Sequence, residues 1–273
     1  MSHAHPVRLL VVVALLHGAT HLYTIFLAPL NPALKEFFGL AADRDVTFIQ
    51  SVYLGVYAAS NLVAGVLSTR LSPRLLLTVG PLLNGLAVMS MALLGPSNYA
   101  GMCLLTALGA AGGGLYHTVA NLLLTEAFPH QKGRALGYVG IGASLAFTAG
   151  PWGAGALVYQ AGWTWQQVTL LFGALGLVFA AGAWICVPGG PSRAAGSPLR
   201  PVAAGANNGT LRAVLVFAAL AVLVLGGREI ASWGSASITP LFLHENYGQK
   251  ERAGFLMVML FAPGVLIQPL AGR

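Results

Sequence analysis

The chain has 273 residues, of which 56% are hydrophobic and only 8% charged, where soluble domains carry roughly a quarter charged residues. That balance excludes a soluble enzyme and predicts an all-α integral membrane protein, with the lipid bilayer as its first partner; the 35 glycines and 15 prolines agree, because spanning helices use small residues to bring backbones together and tolerate breaks. The net charge of +7 reads as a positive-inside bias rather than a nucleic-acid surface, since no run of Lys and Arg is interleaved with aromatics.

A bilayer core takes about 20 apolar residues per helix. Eight runs of that kind are predicted, at 8–30, 47–68, 75–94, 98–124, 134–158, 166–187, 211–242 and 253–273. The first is longer than the apolar core of a signal peptide and no A-x-A-like cleavage site follows it, so it is read as a span. The stretch PGGPSRAAGSPLRPVAAGANNGT, Pro188 to Thr210, is rich in Pro, Gly, Ala and Asn and reads as a flexible linker. The chain therefore divides into a six-helix half over 1–187, a cytoplasmic linker over 188–210, and two helices that begin a second half over 211–273. Six spans before the linker and two after it predict a carboxyl-terminally truncated chain.

Arg8, Arg70, Arg74, Lys132, Arg134, Arg193, Arg200 and Arg212 fall on one side of the predicted membrane, and Lys35, Arg44, Lys250 and Arg252 on the other. The excess places the amino terminus in the cytoplasm, at the inner or plasma membrane. Tyr99, Tyr159, Trp163 and Trp165 then belong to the outer interface, where amphipathic rings prefer to sit. Cys103 and Cys186 lie in apolar runs and are expected to pack as small hydrophobes, without a disulfide.

Ionisable groups in hydrocarbon cost at least ~2.5–3.5 kcal/mol on insertion scales, so those present usually face a cavity or a partner. In the first span His17 and His21 are four residues apart, on one helical face, with Thr20 and Thr24 beside them. In the second, Gln50, Tyr53, Tyr57 and Asn61 form a stripe, readable either as an interhelical hydrogen-bond seam or as substrate contact. In the fourth, His117 and Asn121 repeat the four-residue spacing just after Gly109, Gly112, Gly113 and Gly114. In the seventh, Arg228 and Glu229 follow Gly226 and Gly227. Glycines that break the helix there would aim the guanidinium into a cavity, as where transporters hold anions; the alternative is a helix end near the headgroups. For each histidine the alternative is a buried imidazole satisfied by a carbonyl or a hydroxyl. An unperturbed imidazole, with a pKa of about 6.5, also suits reversible protonation.

Between the second and third spans, GVLSTRLSPR retains Gly65, Leu67, Arg70 and Arg74 of a pattern, G-x-L-A-D-R-x-G-R-K, that marks the major facilitator superfamily. The chain resembles that family, with Thr69 in place of the aspartate and Ser72 in place of the second glycine. QPLAGR at the end resembles a second copy, Leu270 and Arg273 matching Leu67 and Arg70. KGRALGYVGIGASLAFTAGPWGAG is similar to the family's fifth helix, with Gly150, Pro151 and Gly153 in its G-P-x-x-G ending, and GWTWQQ to the opening of its sixth. HGATHLYTIFLAPLNPAL and GGGLYHT resemble the fosmidomycin-resistance type of exporter, where His17, Tyr23, Pro29, Pro32 and His117 match and His21 replaces an aspartate.

The resemblance implies a facilitator-type helical bundle whose first, fourth and seventh helices line a central cavity. It also implies alternating access by a monomer, with a small-molecule substrate, protons as coupling ion, and efflux as the direction. On that reading His17, His21, Tyr53, Tyr57, His117, Asn121, Arg228 and Glu229 lie on the substrate or proton path, Gly65, Arg70 and Arg74 at the cytoplasmic gate, and Gly150, Pro151 and Gly153 at a helix contact. Two rival expectations are an organic-anion uptake symporter or facilitator, and a non-transporting membrane sensor that keeps the fold. No Walker loop or nucleophile–base arrangement is present, so neither an enzyme nor a cofactor is expected. No metal site is expected either, because His17 and His21 lack a helical carboxylate partner and no Cys or Asp clusters nearby.

Overall fold

The computed structural model describes residues 6–190 and 208–271. Its elements are helices: α1 (Pro6–Ile25), α2 (Asn31–Phe37), α3 (Asp43–Leu67), α4 (Pro73–Met91), α5 (Tyr99–Gly113), α6 (Tyr116–Ala127), α7 (Lys132–Tyr159), α8 (Trp165–Cys186), α9 (Asn208–Tyr247), α10 (Ala253–Phe261) and α11 (Pro263–Ala271). Among the described residues, seven helical segments are long and apolar enough to cross a bilayer: Pro6–Phe37, Asp43–Leu67, Pro73–Met91, Tyr99–Ala127, Lys132–Tyr159, Trp165–Cys186 and Lys250–Leu270. The greater part of the predicted linker, 191–207, and the Arg273 of the second signature lie outside the described residues.

Helix starts follow local capping chemistry. Ser72 accepts the Leu75 N–H ahead of Pro73, which needs no hydrogen-bond acceptor at a first-turn position. Asn98 accepts the Gly101 N–H, and Thr164 with Gln167 forms a reciprocal capping box at the head of α8. Two of these segments are interrupted along their length. The first passes from α1 through a 3-10 turn at Ala28–Leu30 into α2, because Pro29 and Pro32 donate no backbone hydrogen bond. The fourth breaks between Gly113 and Tyr116, where the Gly114 N–H still reaches the Ala110 carbonyl.

Glycine sets the closest helix contacts. A Cβ at Gly112 would overlap the Gly80 carbonyl of α4, and one at Gly142 of α7 would overlap the Ala14 carbonyl of α1. A Cβ at Gly85 would lie 2.6 Å from the Gly173 carbonyl of α8. These contacts hold α4 between α5 and α8, and α1 against α7. The interior of the described residues divides into one cluster around Phe26, Leu30, Leu34 and Trp165, a second around Val13, Leu77, Val119 and Leu124, and a small third of Ile25, Ala28, Ala236 and Met257. Trp165 is only 4% exposed, with Phe37 and Phe38 against it. That corrects its assignment to the interfacial belt: the aromatic ends of α2 pack over it, whereas Trp163 remains exposed. Cys103 and Cys186 are free thiols.

α9 runs for 40 residues without interruption through Gly226 and Gly227. The expected glycine break is therefore absent there, because consecutive glycines cost helix stability but leave the i to i+4 hydrogen bonds possible. At about 1.5 Å per residue the helix is ~60 Å long, twice the ~30 Å of a hydrocarbon core. Its contacts with the first half come from its second part: Trp233 against Phe147, Ser237 against Asn31, and Glu245 against Lys35. The residues of its first part whose side chains are described, from Gly209 to Val224, are exposed. α10 and α11 lie along α7. A Cβ at Gly254 would come 2.8 Å from the Pro151 carbonyl and 3.2 Å from the Trp152 Cα.

Candidate functional site

His17, His21 and His117 converge between the spans, one nitrogen of each within 4.8 Å of the others. The four-residue spacing on α1 supplies the first two. The break before Tyr116 turns His117 toward them, with ring centroids 5.1 Å from His17 and 5.3 Å from His21. His17 Nδ1 is 3.0 Å from the Val139 carbonyl of α7. A carbonyl only accepts, so in the neutral ring Nδ1 carries the proton and Nε2 holds the lone pair. His21 Nε2 lies 3.0 Å from that Nε2 and donates to it. His21 Nδ1 is buried and has no hydrogen-bond partner among the described residues.

Aromatic rings close the cluster. Tyr116 stacks on His17 at 5.2 Å and anchors its hydroxyl on the Val13 carbonyl at 2.7 Å. Phe147 lies 4.5 Å from His21, and its other neighbours are Trp233 at 5.5 Å and Phe261 at 5.1 Å. Beyond Trp233 is a cavity of about 350 Å³ between α3 and α9, lined by Gln50, Ser51, Trp233, Gly234 and Ser237 among others. Phe147 thus touches both His21 and Trp233, a residue of the cavity wall.

The stripe on α3 divides. Gln50 donates to the Thr24 carbonyl at 2.8 Å, and Tyr53 accepts from Asn84 at 3.2 Å, so this end forms a hydrogen-bond seam between helices. Asn61 donates to the Tyr57 carbonyl at 2.9 Å, and Thr118 donates to the Asn61 carbonyl. Tyr57 faces His117, ring centroids 6.0 Å apart. Asn121 is exposed and stands apart from the imidazoles. Arg228 and Glu229 lie on α9, and their side chains are outside the described part of the structure.

At one end of the bundle Arg74 donates from Nε to the Val187 carbonyl at 2.7 Å and lies over Trp184, 5.7 Å from its ring centre. Arg70 is exposed. Thr69, where the resembled pattern has an aspartate, turns its hydroxyl onto the Val66 carbonyl of its own helix at 2.8 Å. Gly65 sits 3.9 Å, measured from an added Cβ, from Thr118 of α6. In the fifth span, Gly150 packs on Leu22 and Gly153 faces Phe172, while the Pro151 carbonyl meets Gly254.

At the opposite end Lys35 forms two ion pairs at 2.6 Å, with Asp43 of α3 and with Glu245 of α9. Asn31 donates to the Ser237 carbonyl at 2.9 Å, and Lys250 lies over Tyr159 at 5.6 Å. None of these bridging residues was singled out from the sequence as functional. The signal was present: the loops after the first and seventh spans fall on the same side of the membrane by parity, and each carries charges of both signs, Lys35 in the one and Glu245 in the other.

A bundle of apolar helices, broken at prolines and glycines around a polar cluster between the spans, defines a polytopic α-helical membrane protein. The sequence profile of the Major Facilitator Superfamily matches residues 13–273. The chain belongs to that superfamily. It is 37% identical over 153 residues to the uncharacterised MFS-type transporter Rv1250 of Mycobacterium tuberculosis, a stretch that is 54% of this chain and 26% of the relative. Its fold is similar to the crystal structure of a bacterial homologue of the human lysosomal transporter Spinster, in an inward-facing and unoccupied conformation. The TM-score is 0.77 at 15% identity, over 97% of this chain and 61% of the other. The chain thus spans about three-fifths of the solved transporter it matches.

Proposed function

We propose that this protein is a secondary transporter of a small molecule, working by alternating access in the cytoplasmic membrane with its amino terminus in the cytoplasm. On this reading it exports its substrate against inward-moving protons, in the manner of the fosmidomycin-resistance exporters it resembles. His17, His21, Tyr57 and His117 line the path, and Arg228 attracts an anionic group of the substrate. The observation that carries the reading is the combination of a polar cluster between the spans with contacts that join the two halves at the Lys35 end, where Glu245 and Ser237 of α9 meet the first half. An ion-pair latch at one end and an exposed α9 surface toward the other support a bundle that opens at one end at a time.

The test is reconstitution of the protein, expressed from its gene, in liposomes loaded with a panel of radiolabelled amphipathic cations and organic anions. An imposed proton gradient should drive saturable movement of at least one class, and His21→Gln and His117→Gln should cut its rate at least ~10-fold. Absence of saturable exchange for every probe overturns the transport reading in favour of a sensor. Movement in the same direction as the protons overturns efflux, and unchanged rates in both variants overturn the assignment of the path.

A further inference from the structure

We infer that His17, His21 and His117 form a binding site for a divalent first-row transition metal, of which zinc is the type case. The inference goes beyond the transport reading and does not depend on it, since an ion held here needs no substrate to move. Two features carry it. The donor set is three imidazoles from two spans, one nitrogen of each within 4.8 Å of the others. Nitrogen donors of this kind suit zinc, copper, nickel and cobalt, whereas magnesium and calcium take oxygen ligands. In a tetrahedral site with bonds of ~2.0–2.1 Å, neighbouring nitrogens lie about 3.4 Å apart. The Nε2 atoms of His17 and His21, 3.0 Å apart across a hydrogen bond, are already inside that spacing; ion binding replaces that hydrogen bond, the His21 proton moving to Nδ1, and the His117 nitrogen lies within 4.8 Å of both.

The second feature is orientation. The Val139 carbonyl fixes the proton of His17 on Nδ1 and leaves Nε2 as a donor toward the other two rings. Such a carbonyl on the far nitrogen is the usual companion of a metal-bound imidazole. Three ligands leave one tetrahedral position for water or for a donor atom of a bound molecule.

The chain has seven histidines, so a triad-only protein is made by replacing the other four: His3→Gln, His5→Gln, His130→Gln and His244→Gln. The tag-free protein in detergent is titrated with Co2+, whose visible bands report four-coordinate binding. The triad-only protein should bind one Co2+ per chain as tightly as the unaltered protein. Adding His17→Gln, His21→Gln or His117→Gln should weaken binding by at least ~10-fold and remove the bands. Loss of binding in the triad-only protein, or binding indifferent to the three further replacements, overturns the site. A second measurement needs no variant. X-ray absorption of the Zn2+-loaded unaltered protein should show a first shell with three imidazole nitrogens near ~2.0 Å. A shell of oxygens alone overturns it equally.

Discussion

Lys35 and Arg74 stand at opposite ends of the first half, and each fixes a neighbouring element with its cation. Lys35 reaches across the division of the chain, to Asp43 in its own half and to Glu245 of α9. Arg74 stays within its half, on the Val187 carbonyl and the Trp184 face at the end of α8. The first arrangement ties two bodies together through exposed ion pairs, which are weak and exchange readily with water. The second ties one body to itself with a charged hydrogen bond and a stacked ring. On the proposed alternating-access mechanism, the difference separates a contact that can be made and broken in each cycle from one that keeps a half rigid while it moves.

The contrast breaks most completely if the halves are forced apart along their shared face. Gly254→Val puts side-chain atoms against the Pro151 carbonyl and the Trp152 backbone, neither of which can yield as a flexible side chain would. Overpacking of this kind costs typically ~1–3 kcal/mol. The variant should show α10 detached from α7, as at least tenfold faster hydrogen exchange over 253–261. Unchanged exchange there would mean that the helices have room to separate without loss. Next in size is Lys35→Glu, which removes two attractions and sets a third carboxylate beside Asp43 and Glu245. The expected result is a roughly tenfold rise in thiol labelling at a cysteine introduced for Ser237, with exposed pairs worth up to ~1 kcal/mol each and repulsion added. Equal labelling in both proteins would show that the Asn31 and Tyr159 contacts keep that end shut alone.

The sequence made some parts of this arrangement plain and hid others for physical reasons. Seven of the eight predicted spans have a counterpart among the described residues, 211–242 being the exception, because hydrocarbon thickness sets a run length; His17 and His21 were legible because four residues return a helix to one face. The convergence of His117 on them depended on a break after Gly113, which composition marks as permissive without fixing its direction. Gly226 and Gly227 show the limit of that signal, since the same residue type left α9 continuous. Trp165 was misplaced because an aromatic at a span end fits both an interface and a core, and only the packing of Phe37 and Phe38 decides. The seam of Gln50 and Tyr53 needed the identity of the facing groups, Thr24 and Asn84, which periodicity on one helix does not supply.

Arg74→Ala sharpens the comparison from the other side. It deletes the hydrogen bond to Val187 and the contact with Trp184, a loss of about 1 kcal/mol for a half-buried, partly solvated cation. Melting temperature should fall, while labelling at position 237 stays at the unaltered level. A rise in labelling would show that Arg74 also governs the far end, and the division between internal brace and movable latch would fail.

The smallest effect belongs to Glu245→Gln. It removes one of two ion pairs and leaves Lys35 its contact with Asp43, so the latch weakens without inverting. An exposed pair is worth ~0.2–1 kcal/mol, which corresponds to a rise in labelling at position 237 of about 1.5- to 5-fold. Because the attraction is Coulombic and partly exposed, the gap between Glu245→Gln and the unaltered protein should narrow as salt rises from 0.05 to ~1 M, where the screening length shortens to about 3 Å. Arg74→Ala should show little such dependence, since its partners are a carbonyl and an indole. A gap that stays constant with salt would mean that Glu245 acts through packing, and the latch would then rest on the Asn31–Ser237 hydrogen bond instead of on charge.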